Sequence, residues 1–121
     1  AMKVFKFLLF LLILASSQVF AAGHCSKYIS VREYEVKDST EVARIAEKEF
    51  VPIIKKISGF IGWDLIAVSK TKLITVSTFN TEAAANESAE KAKEWGGKAL
   101  AGLVMSPPEI SNGKVIASSC K

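Results

Sequence analysis

Histidine is nearly missing from this 121-residue chain: His24 is the only one, and nothing after it carries an imidazole. That absence removes the commonest general base and the commonest nitrogen ligand for a metal or haem iron from the body of the protein. Cysteine is scarce as well. Cys25 and Cys120 stand 95 residues apart with no C-x-x-C motif, which excludes a dithiol redox centre or a thiolate zinc site of the usual spacing. Charge of one sign is also lacking, for Lys and Glu interleave and no Lys/Arg block is dense enough to mark a nucleic-acid footprint. No internal repeat and no low-complexity linker interrupts the chain.

What is present begins with an address. Lys3 and Lys6 form a short basic stretch, an uncharged run from Phe7 to Ala15 follows, and small residues lead to Val19-Phe20-Ala21. The order of basic, apolar and small-residue regions predicts a secretory signal peptide over residues 1–21, cut after Ala21 so that Val19 and Ala21 occupy the −3 and −1 positions. Ala1, before the methionine, reads as a cloning remnant, and a retained N-terminal anchor is the competing reading of the same pattern. Cys25 invites a lipoprotein reading. His24 stands where that processing wants a small residue, so the expectation is an exported chain, periplasmic or secreted, with no membrane attachment after cleavage. Residues 22–121 then make a single domain, and loss of Lys3 and Lys6 lowers the net charge from +4 to +2. In an oxidising compartment the lone pair Cys25 and Cys120 reads as a disulfide.

The pattern along the mature chain alternates between strand and helix. Tyr28 to Val36 is rich in β-formers and reads as a strand; Asp38-Ser39-Thr40 supplies helix-cap chemistry, with Glu41 in the first turn. Val42, Ile45, Ala46, Phe50, Ile53, Ile54 and Ile57 recur at helical spacing, and Pro52 predicts a kink or a break near Phe50. Phe60 to Ser69 and Leu73 to Phe79 read as a hairpin. A second helix is expected from Asn80-Thr81-Glu82 to about Trp95, ended by Gly96-Gly97, with a short helical piece over 99–104. Pro107-Pro108 stops that, and 109–119 is a last extended segment in which Asn112-Gly113 offers an alternative hairpin turn. The sum is β-α-β-β-α-β, a ferredoxin-like α+β fold with both helices on one face of an antiparallel sheet. The second strand is apolar on both sides, with Ile61, Trp63, Leu65 and Ala67 assigned to one face and Phe60, Ile66 and Val68 to the other. A sheet with helices on one face only needs another cover for the second, and a second copy of the chain is the simplest one, so a homodimer is expected.

These residues carry a resemblance. Gly59-Phe60-Ile61-Gly62-Trp63 preceded by Phe50-x-Pro52, then the hairpin, then Thr81-Glu82-Ala83-Ala84-Ala85 leading to Glu94-Trp95, is similar to the antibiotic-biosynthesis-monooxygenase-like domains. The resemblance spans about Tyr28 to Ser118. It implies a dimeric α/β barrel with sheet order 4-1-3-2, which sets the ends of the first and last strands side by side, where Cys25 and Cys120 sit. It implies also a use drawn from a varied group: oxidation of polycyclic phenols or quinols without metal or flavin, haem binding, or no catalysis at all. The haem-degrading members ligate iron through a histidine that this chain lacks, so no cofactor and no metal is expected. A cofactor-free oxygenase needs an aromatic pocket with a few polar groups, for which the candidates are Trp63, Asp64, Phe79, Asn80, Tyr34 and Trp95. Each has a duller reading as core, helix cap or surface residue. The two functional expectations are thus a protein that binds or oxidises an aromatic or quinone-like small molecule, and a non-enzymatic envelope domain whose barrel is a dimerisation core.

Overall fold

The computed structural model describes residues 25–120; the leader expected over 1–21 lies outside the described residues. The chain divides into two compact units. Lys27–Val115 holds every strand and helix, while Cys25, Ser26 and Ile116–Cys120 belong to a terminal unit. Within that terminal unit Cys25 and Cys120 form a disulfide, with Cα atoms 5.7 Å apart.

The main unit runs β1 (Tyr28–Glu35), α1 (Ser39–Ile45), a π-helical turn (Ala46–Phe50), α2 (Val51–Ile54), β2 (Phe60–Ser69), β3 (Lys72–Phe79), α3 (Glu82–Ala99) and β4 (Glu109–Lys114). Its four strands form one antiparallel sheet in the order β2-β3-β1-β4, the ferredoxin-like arrangement. Asn112 and Gly113 pair with Ser30 and Ile29 inside β4, so this dipeptide is strand and not a hairpin turn.

Local chemistry explains each element. The Asp38 carboxylate accepts from the amides of Thr40 and Glu41 at 3.0 and 3.3 Å and starts α1. At the far end Pro52 has no amide hydrogen, and its ring would crowd the carbonyl of Lys48 in a regular helix. The chain meets this with the π turn, in which the Val51 amide reaches back to the carbonyl of Ala46, so the expected kink is a widened turn between α1 and α2. Gly59 then turns into β2 with φ +93°; a Cβ there would lie 3.3 Å from the Ala84 side chain, which binds this corner closely to α3. Thr81, not Asn80, caps α3, its hydroxyl accepting from the Ala84 amide at 3.2 Å.

Two expectations are corrected here. Helix α3 continues through Gly96-Gly97 to Ala99, because the Leu100 amide still donates to the Gly96 carbonyl at 3.0 Å and Trp95 anchors the last turns against Phe50. The stretch 99–104 is not a second helical piece. It turns at Gly102, with φ +83°, and lies along the end of β1 through a Val36–Val104 bridge and a Met105 amide bond to Glu35 at 2.8 Å.

The faces of β2 also differ from simple alternation. Pairing shifts between Phe60 and Gly62, so Ile61 is a bulge residue, and Phe60 joins Trp63 and Leu65 on the helix side. Ile61 turns to the opposite side with Asp64 and Ile66. The core therefore lies between sheet and helices in two clusters. One joins Phe50, Ile54, Ile57, Phe79, Ala84 and Ala85; the other joins Val36, Val42, Leu73 and Leu100.

A cavity between sheet and helices

Between the two clusters the packing opens into a cavity of about 820 Å³ that is partly open to solvent, its lining including the exposed Glu90, Lys93, Met105 and Ile110. That volume is in the size range of small-molecule sites. Its floor is the helix-facing side of the sheet: Arg32 and Tyr34 of β1, Trp63 and Leu65 of β2, Leu73, Thr75 and Ser77 of β3. Strand alternation puts them there, since Tyr34 pairs with Leu73, Arg32 with Thr75 and Trp63 with Ser77. Val42, Ala46 and Phe50 form one wall, and Ala92, Trp95, Gly96 and Gly97 of α3 form another. Residues of the connection from Leu100 to Pro108 complete the lining.

Aromatic side chains dominate one side. Phe50, placed by the π turn, sits 5.1 Å from Trp95 at an interplanar angle of 34° and 6.3 Å from Trp63 at 61°, measured between ring centroids. Both indoles keep part of their surface free, while Phe50 is buried. The absence of any Cβ at Gly96 and Gly97 leaves space beside Trp95, with nothing within 4 Å of where either Cβ would stand. Such a surface suits a flat aromatic guest, which gains dispersion contact over its whole ring.

The polar complement is smaller than the apolar one and includes charge: Glu90 and Lys93 of α3 line the space, together with the hydroxyls of Thr75, Ser77, Ser88 and Ser106. Buried Arg32 is the cation on the cavity floor, and its Nε has no hydrogen-bond partner; the indole Nε1 of Trp95 is likewise buried and unpaired. Ser30, beside Arg32 on the same strand face, has an unpaired hydroxyl too. Among the described residues no group of His, Cys, Asp and Glu gathers as a metal site, and no helix is long and apolar enough to cross a membrane.

Of the six residues singled out from sequence, the cavity brings together Tyr34, Trp63 and Trp95. Phe79 is fully buried in the first core cluster, edge-on to Phe60 at 6.2 Å, and does not line the space. Asp64 is exposed on the opposite face of the sheet, one residue out of phase with Trp63, and Asn80 is exposed before the Thr81 cap. Sequence reasoning missed Arg32 and Phe50 as cavity residues. A signal for Arg32 exists: Tyr28, Ser30, Arg32 and Tyr34 share one face of β1, so burial of the tyrosines carries the arginine inward.

No protein-family model matches the chain, and no curated protein matches it in sequence. Solved structures do. The chain is similar to a protein of unknown function from Nitrosomonas europaea at TM-score 0.63 and 19% identity, over 79% of this chain and 95% of that one. A monooxygenase from Streptomyces coelicolor, solved with the ligand nanaomycin D, matches at TM-score 0.63 and 18% identity over 75% and 88%. SnoaB, a cofactor-independent oxygenase from Streptomyces nogalater, matches at TM-score 0.64 and 11% identity over 80% and 100%. At these identities the likeness is one of fold: residues 27–115 carry the ferredoxin-like fold of the antibiotic-biosynthesis-monooxygenase-like proteins.

Proposed function

We propose that this is an exported, homodimeric small-molecule protein whose cavity takes a flat aromatic or quinone-like ligand. The cavity itself carries the reading. A domain serving only as a dimerisation core would fill the space between sheet and helices, whereas here Phe50, Trp63 and Trp95 stand around about 820 Å³ of unfilled volume. The fold shared with cofactor-independent oxygenases favours oxidation by molecular oxygen as the activity. In such a reaction a phenol is converted to a quinone: one oxygen atom replaces the ring hydrogen para to the hydroxyl, the other leaves as water, and the substrate supplies all the electrons. The chain would contribute the aromatic walls that hold the ring flat and keep out water.

The dimer reading rests on the other side of the sheet. Ile29, Val31, Ile74 and Val76 of the central strands and Ile61 and Ile66 of β2 share the face that carries neither α1 nor α3. A second copy placed face to face would bury this apolar surface symmetrically. Sedimentation of the oxidised, leader-free protein tests it: a single dimeric species is expected, and a monomer at micromolar concentration would sink the assembly. For the activity, the test is oxygen uptake with naphthol in metal-free buffer. Naphthoquinone formation that scales with protein and is lost in Trp63→Ala, which keeps its far-UV spectrum, is the expected result. Binding of neutral naphthamide without oxygen uptake would leave a binder and remove the oxidation step; failure of naphthol and naphthamide to bind would remove the small-molecule reading.

A further inference from the structure

The cavity floor carries a charge that the fold does not neutralise. Arg32 lies on β1, a central strand of the sheet, with only 9% of its surface exposed. Its neighbours along the helix-facing side of the strand are Ser30 and Tyr34, and its cross-strand partners are Thr75 on β3 and Ile110 on β4. None is anionic. Among the described residues no carboxylate lies within 4.0 Å of the guanidinium, and the ion pairs there are Arg44–Glu41 and Lys72–Glu33, both on the surface. Burying a cation without a counter-charge is unfavourable, and a guanidinium so placed is a fork of donors matched to a planar oxyanion.

We infer that Arg32 is an anion anchor and that the cavity ligand is an aromatic acid, its carboxylate held by Arg32 and its ring lying among Phe50, Trp63 and Trp95. Three further observations fit one such molecule. The unpaired Nε of Arg32 and the unpaired Nε1 of Trp95 are donors without acceptors, and both residues line the same space. Most of the rest of the lining is aliphatic, aromatic or glycine, which suits a hydrocarbon body; the other charged lining residues, Glu90 and Lys93, are exposed on α3, whereas Arg32 is buried on the floor. The volume of about 820 Å³ accommodates a fused bicyclic acid with room to spare. The inference rests on the small-molecule reading above and adds the charge of the ligand to it.

Titration of the oxidised protein with naphthoate and with its uncharged counterpart naphthamide, followed by the fluorescence of Trp63 and Trp95, separates the two ideas. Naphthoate is expected to bind with one site per chain and about 10- to 100-fold more tightly than naphthamide, the range for a charge-assisted hydrogen bond. Arg32→Met should abolish that preference, and Arg32→Lys should restore part of it. Equal affinity of the two probes for the wild-type protein would overturn the anion anchor and leave the aromatic cavity standing. Absence of binding by either probe would overturn both. Should Arg32→Met not fold, the wild-type comparison decides alone, and Arg32→Lys provides the variant readout. A preference for naphthoate that persists in Arg32→Met would assign the anion to another cation and refute the role given to Arg32.

Discussion

Arg32→Met tests the physical basis of the site without any ligand. A buried polar group left without a partner costs about 1–3 kcal/mol, more when it is charged, and Arg32 holds its Nε in that condition. Methionine covers nearly the same aliphatic stem and adapts to irregular gaps, so little packing is lost. The unliganded variant should therefore be more stable than the wild type, by about 1–3 kcal/mol. For a domain of this size each kcal/mol moves the melting temperature by roughly 4–8 °C, so a rise on the order of 5–20 °C is expected. Urea unfolding followed by far-UV circular dichroism measures it, with the slope of the transition unchanged as the check that the folded and unfolded states are the same. Arg44→Met is the control: Arg44 pairs with Glu41 on the solvent face of α1, and its loss should leave the midpoint near that of the wild type. A lower midpoint for Arg32→Met would mean that the folded chain already supplies a counter-charge, and the argument from an uncompensated cation would fail. A gain in stability joined to a loss of acid binding is the trade expected where a site is kept under strain for function.

Other predictions follow from single features. Gly97→Ala, at an open position near the end of α3, should stabilise the helix by about 0.5–1 kcal/mol in the same urea assay, and its methyl group should weaken naphthamide binding by intruding on the cavity wall. Replacing Cys25 and Cys120 together by serine opens a cross-link spanning 95 residues; in the chain-entropy treatment this costs at most about 4–5 kcal/mol, and an unchanged midpoint with and without reductant would show that the link does not restrict the unfolded chain. The Glu41 carboxylate, hydrogen-bonded by Arg44 at 2.7 Å, is held below the ordinary glutamate value first by that bond and then by the charge of Arg44. Its small contribution to stability is full above the unfolded-state value and fades as pH falls through the lowered one. A carbon-detected NMR titration should find Glu41 protonating at lower pH in the wild type than in Arg44→Met, where the hydrogen bond and the charge are both gone.

Much of the architecture was legible because it is written in local terms. Strand Tyr28–Glu35, the hairpin of β2 and β3, the Asp38 cap and the start of α3 near Thr81 each follow from period-two or helical spacing and from a capping residue within a few positions. The misreadings arise where a local signal met a longer-range constraint. Gly96-Gly97 has the composition of a helix end, yet Trp95 packed on Phe50 holds the helix together past it. Strict alternation assigned Ile61 to the side of Trp63, but one bulge residue reversed Phe60 and Ile61 relative to the core. Asp64 looked like the acid beside an aromatic pocket; next to Trp63 in sequence, it points away from the cavity because adjacent strand residues face opposite sides.

By itself, then, the sequence determined the order of the elements, the apolar character of both sheet faces and the two cysteines available to pair. The tertiary structure alone decided which side chains meet. Arg32, Phe50, Trp63 and Trp95 come from four separate parts of the chain, and only the sheet register, the π turn before Pro52 and the continuation of α3 bring them around one space. A cavity is a place where packing stops short. No periodicity encodes it, since the strand residues on its floor follow the same inward-facing pattern as the residues of the filled core.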